Sequence, residues 1–140
     1  MLSFPRVEGI PVSESRDTVL LIDDHRDTNR LTVELLELDG FEVLAVSSGA
    51  DALLVCADMS PCLILLDLGL PDMSGIELAQ RLRELPTCSR TPLLALSGYS
   101  HLKAEAISAG CDGFLLKPLL PRELRHLVST HCRSVDRAVA

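Results

Sequence analysis

The sequence predicts an α/β fold, a doubly wound sheet of five parallel strands with helices on both faces. Short runs of Val, Ile, Leu and Phe alternate along the chain with stretches whose apolar residues recur every three or four positions, the period of a helix. The runs at 62–66 and 93–96 are apolar at every position, which is typical of strands covered on both faces. Strands and helices that alternate in this way build parallel sheets with right-handed crossovers.

The strands are predicted from short β-rich runs bounded by polar or turn residues. In chain order they are TVLLID (18–23), FEVLAV (41–46), CLILLD (62–67), TPLLALS (91–97) and DGFLLK (112–117).

The helices are predicted from the amphipathic stretches between and after the strands, at 26–39, 48–59, 74–85, 101–110 and 121–134. Gly40 and Gly110 follow the first and fourth helices, where a residue in the left-handed conformation commonly ends a helix. Ser74 and Glu77 have the spacing of a capping box, and Pro121 suits a first helical turn.

A chain of 140 residues suits one domain. We expect the folded domain at 18–134, with a flexible arm or linker at 1–17 and a short C-terminal tail at 135–140. The first segment mixes Pro, Gly, Ser and charged residues without a period, as flexible termini do. Both a stand-alone domain and part of a longer chain remain open.

Composition excludes several classes of function. The net charge of −7, from 13 basic and 20 acidic residues, argues against nucleic acid as a partner, because phosphate binding needs a basic face. No apolar run reaches the roughly 20 residues that span a bilayer, and the first residues lack the pattern of a secretory signal. The 5 cysteines are scattered without a C-x-x-C pair, which favours reduced thiols in a cytoplasmic protein.

Polar side chains close four of the five predicted strands. Asp23 and Asp24 end the first strand, Asp67 the third, Ser97 the fourth and Lys117 the fifth. Each alone is more often a turn former or a solvated side chain. Parallel strands bring their carboxyl ends to one edge, however, where three carboxylates would repel each other unless a divalent cation such as Mg²⁺ bound them. The added lysine and hydroxyl favour a phosphoryl group beside Asp67.

In this combination the sequence resembles the receiver domains of two-component response regulators. The resemblance covers about 18–133 and rests on four segments in order: LLIDDHRD, LILLDLGLPDMSG, ALSGYS and FLLKP. It implies a CheY-like (βα)5 sandwich, flavodoxin-like, with strand order 2-1-3-4-5. It also implies a phosphorylation-controlled switch, not an enzyme, that accepts a phosphoryl group from a sensor histidine kinase or a histidine phosphotransfer protein.

The resemblance assigns a role to each residue at the strand ends. Asp67 corresponds to the phosphoacceptor, and Asp24 and Asp67 to direct Mg²⁺ ligands. Asp23 would act mainly through water, and the backbone carbonyl of Gly69 would be the third protein ligand. Lys117 would pair with a phosphoryl oxygen.

Other positions correspond to the switch of the family. Ser97 matches the hydroxyl that turns toward the phosphoryl group, and Phe114 the aromatic side chain that then moves inward. The Lys117–Pro118 bond is expected to be cis. The surface at 101–134 is expected to bind a target protein or to form a phosphorylation-dependent homodimer.

The chain departs from the common family pattern in ways that affect the switch and the acyl phosphate. Ser97 replaces the commoner threonine, and Phe114 lacks the hydroxyl of the frequent tyrosine. Gly69 leaves the phosphoryl group open to water, whereas the large Tyr99 is placed to cover it, so the two have opposite effects on its lifetime.

Alternative functions are less consistent with the same positions. A haloacid dehalogenase would need a second aspartate where Gly69 stands, and Asp72 is better explained as a turn residue. A dinucleotide-binding domain needs a glycine-rich turn where Asp23, Asp24 and His25 stand. A flavin carrier is disfavoured because aromatic residues make up only 3% of the chain. A receiver that is never phosphorylated and acts only in docking remains open. His25 lies near this edge, where we expect it to be solvated.

Overall fold

The computed structural model describes residues 18–132. The predicted arm at 1–17 and tail at 135–140 lie outside the described residues, and these boundaries stay predictions. The strands are β1 Thr18–Ile22, β2 Glu42–Val46, β3 Leu63–Asp67, β4 Leu93–Ser97 and β5 Gly113–Leu116. The helices are α1 Arg26–Leu38, α2 Gly49–Asp58, α3 Gly75–Glu84, α4 Lys103–Ser108 and α5 Pro121–His131, with a 3-10 turn Ser100–Leu102 before α4.

The five strands form one sheet in the order β2-β1-β3-β4-β5, and all neighbours are parallel. This confirms the predicted fold class and strand order. In the register of the sheet, Asp67 lies opposite Leu96, and Ser97 lies opposite Leu116. The carboxyl ends of β3, β4 and β5 are therefore level with one another at one edge.

Two apolar cores cover the two faces of the sheet. Successive side chains of a strand point to opposite faces, so Leu20 and Ile64 pack in one core while Leu21 and Leu65 pack in the other. Helices α2, α3 and α4 close the first core, and α1 and α5 close the second. Strands β1, β3 and β4 are buried along their whole length, which confirms the prediction for β3 and β4 from the apolar runs at 62–66 and 93–96.

The helix ends follow most of the local signals. Gly40 and Gly110 have φ angles of +96° and +115°, which confirms the left-handed helix ends. Pro121 is in the first turn of α5 as predicted. The predicted capping box is formed only in half: the Ser74 hydroxyl accepts a hydrogen bond from the Ile76 N–H at 3.0 Å, whereas Glu77 pairs with Arg81 at 2.8 Å.

Asp72 has a second role that its prediction as a turn residue did not include. Its two carboxylate oxygens accept hydrogen bonds from the backbone N–H groups of Gly49 and Ala50, at 2.9 and 3.0 Å. These donors belong to the first turn of α2, where backbone N–H groups have no partner within the helix. The loop after β3 thus fixes the start of α2.

Candidate functional site

Asp67 is the last residue of β3, a strand at the centre of the sheet. Its exposure is only 4%, because apolar strands lie on both sides and helices cover both faces. One carboxylate oxygen, Oδ1, accepts a hydrogen bond from the Gly69 N–H at 3.0 Å. The other, Oδ2, lies 3.3 Å from Nζ of Lys117. Asp67 is therefore held rigidly at the edge where the core ends.

Asp23 and Asp24 follow β1, the strand beside β3. Asp23 is buried, and the side-chain amide of Asn29 donates to its backbone carbonyl at 3.1 Å, which fixes the turn into α1. Its Oδ1 accepts a hydrogen bond from the His25 N–H at 2.9 Å, and its Oδ2 lies 3.1 Å from Nζ of Lys117. Asp24 is more exposed, with 34% of its side chain accessible.

Lys117 forms ion pairs with both buried carboxylates, Asp23 and Asp67. It follows β5, and its backbone N–H donates to the Ser97 carbonyl at 2.7 Å. The bond between Lys117 and Pro118 is cis, as the resemblance implied. The ammonium group thus reaches residues 94 and 50 positions away in the sequence, Asp23 and Asp67.

The electrostatic environment shifts the pKa values of the two buried carboxylates in opposite directions. Burial raises the pKa of Asp67, and the charge of Asp23 raises it further, against the opposing effects of the Gly69 N–H and Lys117. Burial also acts to raise the pKa of Asp23, but hydrogen bonds from the backbone and ring of His25, together with Lys117, lower it overall. Like-charge repulsion at this edge is therefore concentrated on Asp67, the residue with the fewer compensating donors.

His25 belongs to the site more directly than its sequence position indicated. Its side chain is 58% exposed, yet Nδ1 lies 2.9 Å from Oδ1 of Asp23, 3.2 Å from Oδ1 of Asp24 and 3.4 Å from Oδ2 of Asp67. The hydrogen bond to Asp23 and that carboxylate's charge raise the pKa of His25. Its position next to Asp23-Asp24 was the only signal available in the sequence.

The donor set fits a divalent cation. Ligand atoms of Asp23, Asp24, His25 and Asp67 all lie within 4.8 Å of one another. Carboxylate oxygens are the ligands that Mg²⁺ prefers, commonly one or two of them together with water. Gly69 lies beside Asp67, and the role of its carbonyl as a ligand stays a prediction.

The Ser97 carbonyl accepts a hydrogen bond from the Lys117 N–H, but the hydrogen bonds of the Ser97 hydroxyl are made with Tyr99 and not with this cluster. The buried Ser97 hydroxyl accepts a hydrogen bond from the Tyr99 N–H at 3.0 Å, so it is turned toward its own loop. Phe114 is half-buried against the core that α2, α3 and α4 close. Tyr99 is 65% exposed, with its ring beside that of His101. The roles of Ser97 and Phe114 in switching stay predictions.

Two surfaces flank the cluster. A groove of about 510 Å³ between α1 and the start of α5 begins at His25 and Lys117 and is lined by apolar side chains that include Leu31, Leu35 and Leu119. On the predicted 101–134 surface, the large apolar side chains of Ile107, Leu116 and Leu120 are exposed.

Comparison with known families gives one clear match. The model of the response regulator receiver domain matches residues 19–129. A curated relative, the phosphate regulon transcriptional regulatory protein PhoB of Pseudomonas aeruginosa, is 37% identical over 109 residues, covering 76% of this chain and 48% of that protein. The chain thus spans about half the length of this relative, whose name describes the regulation of transcription.

Solved structures agree in fold. A CheY-like response regulator receiver domain from Methylobacillus flagellatus has a TM-score of 0.75 and 32% identity, covering 81% of this chain and 97% of that one. The receiver domain of the sensor histidine kinase PA1611 from P. aeruginosa has a TM-score of 0.77 at 23% identity, covering 83% and 97%. The latter structure is described with a magnesium ion in its active-site cleft. Among residues 18–132, no helix has the length and apolar character needed to cross a membrane.

Proposed function

Because this chain belongs to the family of response regulator receiver domains, we propose that Asp67 accepts a phosphoryl group from a phosphohistidine in an Mg²⁺-dependent reaction. The donor is a sensor histidine kinase or a histidine phosphotransfer protein. One observation carries the proposal: the Asp67 carboxylate, at the carboxyl end of the central strand, lies 3.3 Å from Nζ of Lys117 and 3.4 Å from Nδ1 of His25, with a ligand atom of Asp24 within 4.8 Å.

The transfer needs few groups, because phosphoryl transfer depends mainly on positioning and charge stabilisation. A carboxylate oxygen of Asp67 attacks phosphorus, the bond from phosphorus to the donor imidazole nitrogen breaks, and an acyl phosphate forms. Lys117, already 3.3 Å from Oδ2 of Asp67, would stabilise the charge on the phosphoryl oxygens. Mg²⁺ held by Asp24, Asp67 and the Gly69 carbonyl, with Asp23 acting through water, would supply further charge neutralisation.

The same proposal covers the role of the domain in the cell. The domain is a signalling phosphoacceptor, not an enzyme with a separate substrate, and it acts in the cytoplasm, where kinases of this class place their phosphohistidine. Phosphorylation turns the Ser97 hydroxyl toward the phosphoryl group and moves Phe114 inward. This change shifts the equilibrium between two conformations of the 101–134 surface, which binds a target or a second copy. The domain itself binds neither nucleic acid nor membrane.

Acetyl phosphate with Mg²⁺ tests the proposal directly. Intact-mass measurement is expected to show one added phosphoryl group on the wild type and none on Asp67→Asn. Asp24→Asn is expected to weaken Mg²⁺ binding more than Asp23→Asn, because Asp24 is the direct ligand. Asp51→Asn, an exposed carboxylate on α2 outside the cluster, is the matched control and should be phosphorylated like the wild type.

Two results would overturn the assignment. A wild type that stays unmodified and also ignores beryllofluoride would favour the docking receiver that is never phosphorylated. Phosphorylation that persists in Asp67→Asn would place the acceptor elsewhere.

A further inference from the structure

His25 places a nitrogen donor among the carboxylates of the cation site. The chain itself brings it there, since His25 directly follows Asp24 and its backbone N–H is fixed to Oδ1 of Asp23 at 2.9 Å. Nδ1 then faces three carboxylates at once, with separations of 2.9, 3.2 and 3.4 Å from Asp23, Asp24 and Asp67. Within residues 18–132, this is the group of acidic, histidine and cysteine side chains that comes close enough to hold an ion.

These separations are those of ligands around a single ion. Ligand atoms about 2.1 Å from an octahedral ion stand about 3 Å from their neighbours. The Nδ1 atom of His25 lies 3.2 Å from Asp24 and 3.4 Å from Asp67, so small adjustments bring all three to one ion. The exposure of the imidazole leaves it free to make them.

The chemistry of the donor decides which ions benefit. Mg²⁺ takes oxygen ligands and keeps its waters, so an added imidazole gives it little. Ni²⁺, Co²⁺ and Zn²⁺ bind imidazole well, and affinity for mixed nitrogen and oxygen sites rises along the first-row series. A carboxylate site with one imidazole therefore differs in ion preference from a site made of oxygen ligands alone.

We propose that His25 is an additional ligand of the receiver's cation site and strengthens its preference for imidazole-binding divalent ions over Mg²⁺. The proposal rests on the proposed function only in placing the cation at Asp24 and Asp67. The competing role for His25 is that of a counterion, which pairs with the carboxylates and must be displaced before any ion binds.

Calorimetric titration of the full chain with Ni²⁺ and with Mg²⁺, in the presence of a non-thiol reductant, separates the two roles. His25→Ala is expected to weaken Ni²⁺ binding by roughly tenfold or more and to leave Mg²⁺ affinity within about twofold. His126→Ala, an exposed histidine on α5, is the matched control and should bind both ions as the wild type does. Asp24→Asn should weaken both, which shows that the ions bind this site and not the cysteines.

Three outcomes would overturn the proposal. These are unchanged Ni²⁺ affinity in His25→Ala, tighter binding of both ions as the counterion role requires, and Ni²⁺ binding that does not respond to Asp24→Asn. Thermal unfolding of each variant verifies that it is folded before titration.

Phosphorylation of His25→Ala by acetyl phosphate and Mg²⁺ separates this inference from the proposed function. A normal Asp67 phosphate with no change in Ni²⁺ affinity rejects the inference alone. If His25→Ala weakens Ni²⁺ binding as expected but the wild type is never phosphorylated, the proposed function alone is rejected.

Discussion

Gly75 allows α3 to begin against the end of β3, the strand that carries Asp67. A Cβ atom on Gly75 would lie 2.4 Å from Cα of Leu68 and 2.9 Å from the carbonyl oxygen of Asp67. Both neighbours are backbone atoms, so neither can move without moving the strand end. Gly69 is closer to Asp67 in sequence, only two residues after it, but a Cβ there would meet only Oδ1 of Asp67, at 3.9 Å.

The two glycines should therefore respond differently to the same substitution. We expect Gly75→Ala to lower the free energy of unfolding by about 1–3 kcal/mol, the usual cost of forcing extra volume into a packed site, and to slow phosphorylation by displacing Asp67. Gly69→Ala should stay within about 0.5 kcal/mol of the wild type. Urea unfolding and the rate of mass increase with acetyl phosphate measure the two effects. Equal destabilisation by both substitutions would contradict the steric explanation.

Among the elements, the start of α2 is stabilised by side chains that lie outside the helix. The Ser48 hydroxyl caps it locally by accepting a hydrogen bond from the Asp51 N–H at 3.1 Å. The Asp72 carboxylate accepts two more, from Gly49 and Ala50, and these bonds lower its pKa. The helix is thereby joined to the loop that also carries Gly69, beside the phosphoacceptor.

The contribution of Asp72 should depend on pH. A carboxyl group whose pKa is lower in the folded state stabilises the fold above its unfolded pKa and loses that effect as pH falls through the folded pKa. We therefore expect Asp72→Ala to lower the urea midpoint at neutral pH, with the difference from wild type shrinking on acidification. Ser48→Ala, which removes an uncharged cap of about 1 kcal/mol, should give a difference that does not vary with pH. A gap for Asp72→Ala that is the same at all pH values would count against the charged cap.

Local patterns explain which elements the sequence could predict. The apolar runs and the glycines at 40 and 110 lie in or next to the elements that they predict, and the structure contains those elements. The fourth helix is shorter than the predicted 101–110, because its start takes the form of a 3-10 turn in which the Leu102 N–H bonds to Tyr99. The bonds from Asp72 to α2 join residues 22 and 23 positions apart, and no local pattern indicates them.

At the scale of the whole molecule, the site also combines features that the sequence predicts with contacts that it does not. Asp23, Asp67, Ser97 and Lys117 were predictable as one group, because a parallel sheet brings every carboxyl end to the same edge. The direction of the His25 ring was not, since it depends on the turn that Asn29 and Asp23 form. Arg83 was missed for a similar reason: its partners come from two separate segments, the loops that precede β4 and β5.

Arg83 stabilises the end of the sheet opposite the cation site, at the amino ends of β4 and β5. From the last turn of α3, it donates hydrogen bonds to the carbonyls of Cys88, Thr91 and Gly110, at 2.9, 2.6 and 3.0 Å. It also pairs with Asp112 at 2.9 Å, just before β5. These partners lie at the amino ends of β4 and β5, away from the cation site, and only 20% of the Arg83 side chain is accessible.

Replacing Arg83 should therefore weaken the fold without changing the chemistry at Asp67. We expect Arg83→Met to lower the free energy of unfolding by about 2–4 kcal/mol, because it leaves several half-buried carbonyls without their charged donor. Arg81→Met, two residues earlier on α3, removes an exposed pair with Glu77 and should cost less than about 0.5 kcal/mol. Mg²⁺ affinity, measured on the folded proteins, should be the same in both variants and the wild type. Equal losses of stability for the two arginines, or weaker Mg²⁺ binding in Arg83→Met alone, would show that Arg83 does not act as a local fastening of this edge.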